Sequence, residues 1–161
     1  MTGMVHIEIA PLHRGLNTIE LQPSADDLDL DPEEFSEIVV DSQVDVRADR
    51  ILVRFSVASD AHMICDRTLR PFTERVSGSY AVLFSAQAEV AADDVDDVRV
   101  FSPSDRAIDI SDAIRDTLIL ALPARRLAPG ADEVEIPDRF GDAESDSQPD
   151  PRWEALRRLQ K

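Results

Sequence analysis

Ile51-Leu52-Val53-Arg54-Phe55-Ser56-Val57-Ala58 decides the fold. Ile51, Val53, Phe55 and Val57 fall on alternate positions, with Leu52, Arg54, Ser56 and Ala58 between them. A period of two is the signature of a strand with one buried face. The apolar series runs on through Ala61, Met63 and Cys65. Upstream, Val44 and Val46 alternate with Asp45 and Arg47, and Ala48-Asp49-Arg50 reads as the turn between the two strands. Downstream, Phe72 to Ala86 is a second long run, holding Val76, Tyr80, Val82 and Phe84. Long alternating runs with short connections predict an antiparallel β-meander.

The remaining elements are shorter. Val5, Ile7 and Ile9 alternate with His6 and Glu8, and 16–21 reads as a further strand. From Asp26 to Asp45 there are nine acids and no base, which predicts a solvated acidic loop before β structure resumes at Ile38. Within it, Asp31-Pro32 has the chemistry to open a short helix. Val98 to Phe101 is another short strand. Ile110, Ile114, Leu118 and Leu122 recur every four residues, predicting a helix over 112–122 capped by Asp109 or Ser111. Pro123 stops it. The fold class expected is α+β: five to seven strands in a partly closed antiparallel sheet, with one covering helix. The single domain spans 1–130. An acidic flexible segment follows over 131–149. A short basic helix over 150–161 begins at Asp150-Pro151, with Trp153, Leu156 and Leu159 on one face.

Composition narrows the function. The chain has 161 residues, with 43% hydrophobic and 31% charged, the composition of a soluble domain. It carries 33 acids against 17 bases, a formal net charge of -16. Such a field repels phosphate backbones, so bulk electrostatic binding of nucleic acid is excluded as a main activity. Lys161 is the only lysine, and Asp outnumbers Glu by about two to one, a pattern that fits salt adaptation or a GC-rich genome equally. No run is long and apolar enough to span a membrane, and no basic-then-apolar leader opens the chain, so the expected compartment is the cytoplasm.

Catalytic signatures are sparse. His6, His13 and His62 are scattered, and five glycines form no phosphate-binding loop. The acids over 26–34 alternate as in a calcium loop but lack its central glycine. Cys65 is the only cysteine, and the reading given to it is a half-buried structural thiol. On an extended strand Cys65 and Arg67 would share a face, without a general base beside them. Three basic spots stand out against the acidic background: Arg67, Arg70 and Arg75; Arg125-Arg126; and Arg152, Arg157, Arg158 and Lys161. Arginine suits carboxylate and phosphate equally, so these are either intramolecular pairs or ligand contacts.

Three blocks carry a resemblance. Cys65-Asp66-Arg67-Thr68-Leu69-Arg70-Pro71-Phe72 is similar to the motif C-x-R-C-L-x-P-F of the YceD family, the large ribosomal RNA subunit accumulation proteins. Ile108-Asp109-Ile110 through Leu122-Pro123 resembles its second block, and Asp150 to Leu159 its D-P-R-aromatic ending. Together the resemblance spans roughly 5–160. It implies a role in large-subunit ribosome biogenesis and 23S rRNA accumulation, with no enzymatic reaction. It places contacts at Arg67, Arg70 and Phe72 first, then at Arg152 and Trp153.

The resemblance also implies zinc, because many members carry two cysteine pairs. Here Thr68 stands in place of the second cysteine, and 124–130 has none, so no cofactor is expected. The expected partner is a ribosomal protein or assembly factor of the large subunit, its basic surface meeting these acids, with rRNA contact indirect. Two alternatives remain. One is an acidic protein-binding module, chaperone-like or mimicking nucleic acid, with no ribosomal role. The other is a Cys65-dependent enzyme.

Overall fold

The computed structural model describes residues 4–87, 95–102 and 104–135. Met1–Ala131 forms one compact unit and Asp132–Lys161 another. Of the expected acidic segment only 131–135 is described, where Ala131–Glu133 forms a 3-10 turn with Ala131 buried, and the expected terminal helix with Arg152 and Trp153 lies wholly outside the described residues.

The first unit is α+β. Its strands are β1 (His6–Glu8), β2 (Gly15–Leu21), β3 (Phe35–Val46), β4 (Arg50–Ile64), β5 (Pro71–Ser85), β6 (Asp97–Val100) and β7 (Ala107–Asp109), followed by helix α1 (Ser111–Ala121). Five strands lie in the order β2-β3-β4-β5-β6. The first four pair antiparallel with their sequence neighbours. Two features depart from a single antiparallel array. β6 joins β5 in parallel, and β1 and β7 leave the sheet to pair with each other.

The alternating residues land as their spacing requires. Val40 and Val44 from β3, Ile51, Val53, Phe55 and Val57 from β4, and Val82 and Phe84 from β5 are buried together. β3 begins at Phe35, three residues before the alternation becomes visible at Ile38. The reason is a β-bulge: the register slips by one residue between Ser36 and Val39, and Glu37 adopts a positive φ of 49°. Phe35 and Ile38 are an odd number apart, so only an extra residue lets both face the core, and both are buried.

The acidic stretch is tied down rather than solvated. Ala25, Leu28 and Leu30 are buried and belong to the core, while the carboxylates between them face outward. Asp31 holds one turn, accepting from the Glu33 N–H at 2.8 Å, but that turn runs straight into β3 instead of opening a helix.

Helix α1 lays Ala113, Ile114 and Leu118 onto the sheet. Its N-cap is Ile110, not Asp109 or Ser111. Asp109 instead accepts from the Ser111 N–H at 2.9 Å, and the Ser111 hydroxyl accepts from the Val5 N–H at 2.6 Å, which pins the β1 segment to the helix start. Arg99 on β6 clamps the first helical turn through Asp112 at 2.8 Å, while holding Asp97 at 2.7 Å. These two carboxylates push the Arg99 pKa further up, with Asp97 the larger influence. At Asp112, burial raises the pKa but the Arg99 hydrogen bond and charge outweigh it, so the net shift is downward. Gly78 on β5 is where the helix touches the strand: a Cβ there would lie 2.7 Å from Thr117 Cγ2.

Candidate contact site at the tip of the long hairpin

β4 and β5 form a hairpin fifteen residues deep, paired from Arg50↔Ser85 to Ile64↔Pro71. Its tip, 65–70, is a tight turn and not extended strand: the Cys65 N–H donates to the Arg70 carbonyl at 2.9 Å, and the Leu69 N–H to the Cys65 carbonyl at 2.9 Å. Cys65 and Arg67 therefore do not share a strand face. Closing this turn requires Leu69 at φ 55°, a left-handed conformation that is uncommon for a bulky side chain. The Leu69 side chain gains no burial in exchange, being 78% exposed.

The turn is bolted to the chain that leaves α1. Asp66 and Arg126 exchange two bonds: the Asp66 N–H donates to the Arg126 carbonyl at 2.8 Å, and the Arg126 N–H to Asp66 Oδ2 at 2.8 Å. The Ala128 N–H donates to Cys65 Sγ at 3.3 Å. Cys65 is fully buried rather than half-buried, yet it stands outside the contiguous apolar core. Its surroundings favour the thiolate. The Thr68 hydroxyl contributes most, then the Ala128 N–H; burial opposes them, and the Thr68 and Arg67 N–H groups add to the lowering, bringing the pKa from 9.0 down to about 7.

This geometry regroups the basic residues. Arg67 and Arg70 on the turn meet the segment carrying Arg125 and Arg126, merging two of the three basic spots. Arg70, Arg125 and Arg126 are exposed, and Arg67 is half-buried. Arg75 leaves the group: it pairs with Asp60 at 2.8 Å and donates to the Glu37 carbonyl at 3.1 Å, bracing the bulge. Phe72 pairs opposite Met63 and, half-buried, packs against the core. Ile64 beside it is 61% exposed. The tip and the segment bonded to it therefore carry exposed Arg70, Arg125 and Arg126 along with exposed Ile64 and Leu69, in a chain whose overall charge is strongly negative.

His62 is occupied structurally, with the Ser36 hydroxyl at 2.8 Å and the Thr73 hydroxyl at 2.9 Å on its two ring nitrogens. Among the described residues, no three His, Cys, Asp or Glu side chains converge as a metal would require. At the tip only one thiolate is offered, and the Asp66 carboxylate already accepts a main-chain N–H. That donor set does not fit a tetrahedral zinc site.

A family model described as Large ribosomal RNA subunit accumulation protein YceD matches residues 53–160. The chain belongs to the YceD family. The match covers 108 of the 161 residues and includes the three resembling blocks. It begins inside β4, so β1, β2 and β3 lie before it, a narrower span than the 5–160 the motif resemblance implies. No curated protein and no solved structure matches the chain. Among the described residues no helix is long and apolar enough to cross a membrane.

Sequence reasoning singled out Arg67, Arg70 and Phe72 as contacts; it did not foresee the bonds of Asp66 and Ala128 or the left-handed backbone of Leu69. Asp66 and Arg126 are 60 residues apart, and nothing local marks two main-chain segments that will pair across such a separation. Leu69 had a weak signal: Arg70-Pro71 just after it restarts extended chain, so the turn must close before it.

Proposed function

We propose that this YceD-family chain is a non-enzymatic, metal-free factor in large-subunit ribosome biogenesis, acting in the cytoplasm by contact with a pre-large-subunit component. The observation that carries the ribosomal reading is the family match over residues 53–160, and the double hydrogen bond between Asp66 and Arg126, which ties the 65–70 turn to the segment of Arg125 and Arg126, supports the choice of this end as the contact. A rigid turn presenting arginine forks and exposed apolar side chains is the chemistry of a contact surface. The partner is a basic ribosomal protein or assembly factor: the arginines engage its carboxylates or adjoining phosphates, and the acidic remainder of the chain complements its basic surface. Phe72 supports the tip, and Arg152 and Trp153 supply a second contact.

The test is a sucrose-gradient profile of lysate from cells carrying a tagged chain in place of the native one. The wild type co-migrates with large-subunit precursors, and Arg67→Ala with Arg70→Ala leaves folding intact but moves the tag to the light fractions. If that double variant co-migrates and fully complements a deletion strain, the tip is not the contact. If the wild-type tag stays light even after crosslinking, the ribosomal reading fails and the acidic binding module takes its place.

A further inference from the structure

The five-stranded sheet ends in two edges of different character. β6 is four residues long, and Arg99 ties it to Asp112 of α1. Short, charged edges of this kind are how sheets avoid unwanted pairing. β2 is the opposite case. It pairs with β3 over seven consecutive residues, from Gly15↔Val46 to Leu21↔Val40, without a bulge. It carries no proline and no lysine, and among the described residues nothing pairs with its outer side.

A cleft of about 480 Å³ runs along that outer side. Consecutive residues Leu16 to Ile19 line it, so it follows the strand edge instead of lying over one face. Its far wall is β1, with Pro11, Leu12 and His13 closing one end. Leu16 is 61% exposed there. One carboxylate, Glu8, lines the cleft together with His6 and His13, and on the exposed face of β2, outside that lining, Glu20 stands directly opposite Asp41. Two carboxylates opposite each other across a strand pair are destabilising, a cost that a cation laid beside them removes.

We propose that the β2 edge and its cleft take up an extended, basic segment of a protein partner as an added strand. Main-chain hydrogen bonds to β2 supply affinity, alternate apolar side chains pack on the face of Ile19 and Leu21, and the intervening arginines or lysines lie on the opposite face, where their aliphatic stems cover Leu16 and their charges meet Glu20 and Asp41. The proposal rests on the reading that the partner is a basic protein, but it places the engagement before residue 53, at a surface separate from the arginine tip.

The test uses the full chain and a short peptide of alternating arginine and valine, followed by amide chemical shifts and by titration. Three controls separate the contributions: an alternating glutamate–valine peptide, the arginine–valine peptide N-methylated at every other residue, and the variant Glu20→Lys with Asp41→Lys. Binding that perturbs the Gly15–Leu21 amides, and weakens about tenfold or more on N-methylation and in the double variant, supports the added strand. Binding that survives N-methylation undiminished is charge attraction alone and overturns it. So does perturbation centred on β6 or on 65–70. Slow hydrogen exchange of the outward β2 amides in the free chain, or a dimer buried there, would give the edge to the chain itself and overturn the proposal equally. Arg67→Ala with Arg70→Ala must leave peptide binding unchanged, so loss of co-migration with precursors and loss of peptide binding report the two surfaces independently.

Discussion

At Gly78 the hairpin meets α1 through apolar packing. At its tip, seven pairs further along, the same hairpin is held by main-chain and thiol hydrogen bonds. Around the first contact Ile114 and Leu118 are completely buried, in the same core cluster as Val57. The second closes 65–70 onto 126–128 with Asp66, Arg126, Ala128 and Cys65. Apolar packing scales with buried area and tolerates small shifts, whereas a net hydrogen bond contributes about 1 kcal/mol and depends on direction. The packed region therefore sets the stability of the unit, and the tip sets the placement of the arginines.

Breaking the packed region gives the largest effect. Ile114→Ala removes a fully buried side chain between helix and sheet, and the expected loss is about 2–5 kcal/mol by denaturant unfolding. A loss under about 1 kcal/mol would mean that α1 does not hold the sheet. Next comes Gly78→Ala, which sets a Cβ 2.7 Å from Thr117 Cγ2. The Thr117 hydroxyl donates to the Ala113 carbonyl at 2.6 Å, so its side chain is not free to turn away. The helix must shift, at about 1–3 kcal/mol. Gly78→Ala combined with Thr117→Ser deletes the clashing methyl and is expected to restore most of that loss.

These two sites also show what the sequence discloses. The four-residue spacing of Ile110, Ile114 and Leu118 and the two-residue spacing of Ile51 to Val57 are direct images of buried faces, so helix, strands and core were legible. The start of β3 was not, because the bulge at Glu37 breaks the period that reveals a strand. The parallel entry of β6 was not, because four residues carry no record of direction. The buried leucines of the acidic stretch were hidden by the carboxylates around them. At the tip, the arginines were visible as residue types. Their union was not, since it depends on hydrogen bonds from main-chain atoms that every residue carries.

The tip has its own signature, which is pH dependence. The folded state holds the Cys65 pKa at about 7, below its usual 9.0. A group with a depressed folded pKa stabilises the fold fully above its unfolded value and loses that contribution as pH falls through the folded value. Stability should therefore rise between about pH 7 and 9, and Cys65→Ala should flatten that rise. Thiolate absorbance should titrate near the lower value in the native chain and near the higher one in denaturant. If Cys65→Ala leaves the slope unchanged, the thiolate is not what holds Ala128 to the turn.

Leu69→Gly gives the smallest and most discriminating change. A bulky residue at φ 55° carries strain of about 1–2 kcal/mol that glycine does not. Glycine gives back about 0.5–1 kcal/mol through the added freedom of its unfolded chain. The balance is a gain of about 0–1.5 kcal/mol in stability, read from the denaturation midpoint. The 78% exposed side chain, removed by the same substitution, is part of the proposed contact surface, so co-migration with large-subunit precursors should weaken while stability rises. Opposite signs in the two measurements mark a residue kept for its partner. A loss of stability instead would show that Leu69 is held by packing within its own chain, and would leave the arginines alone to make the contact.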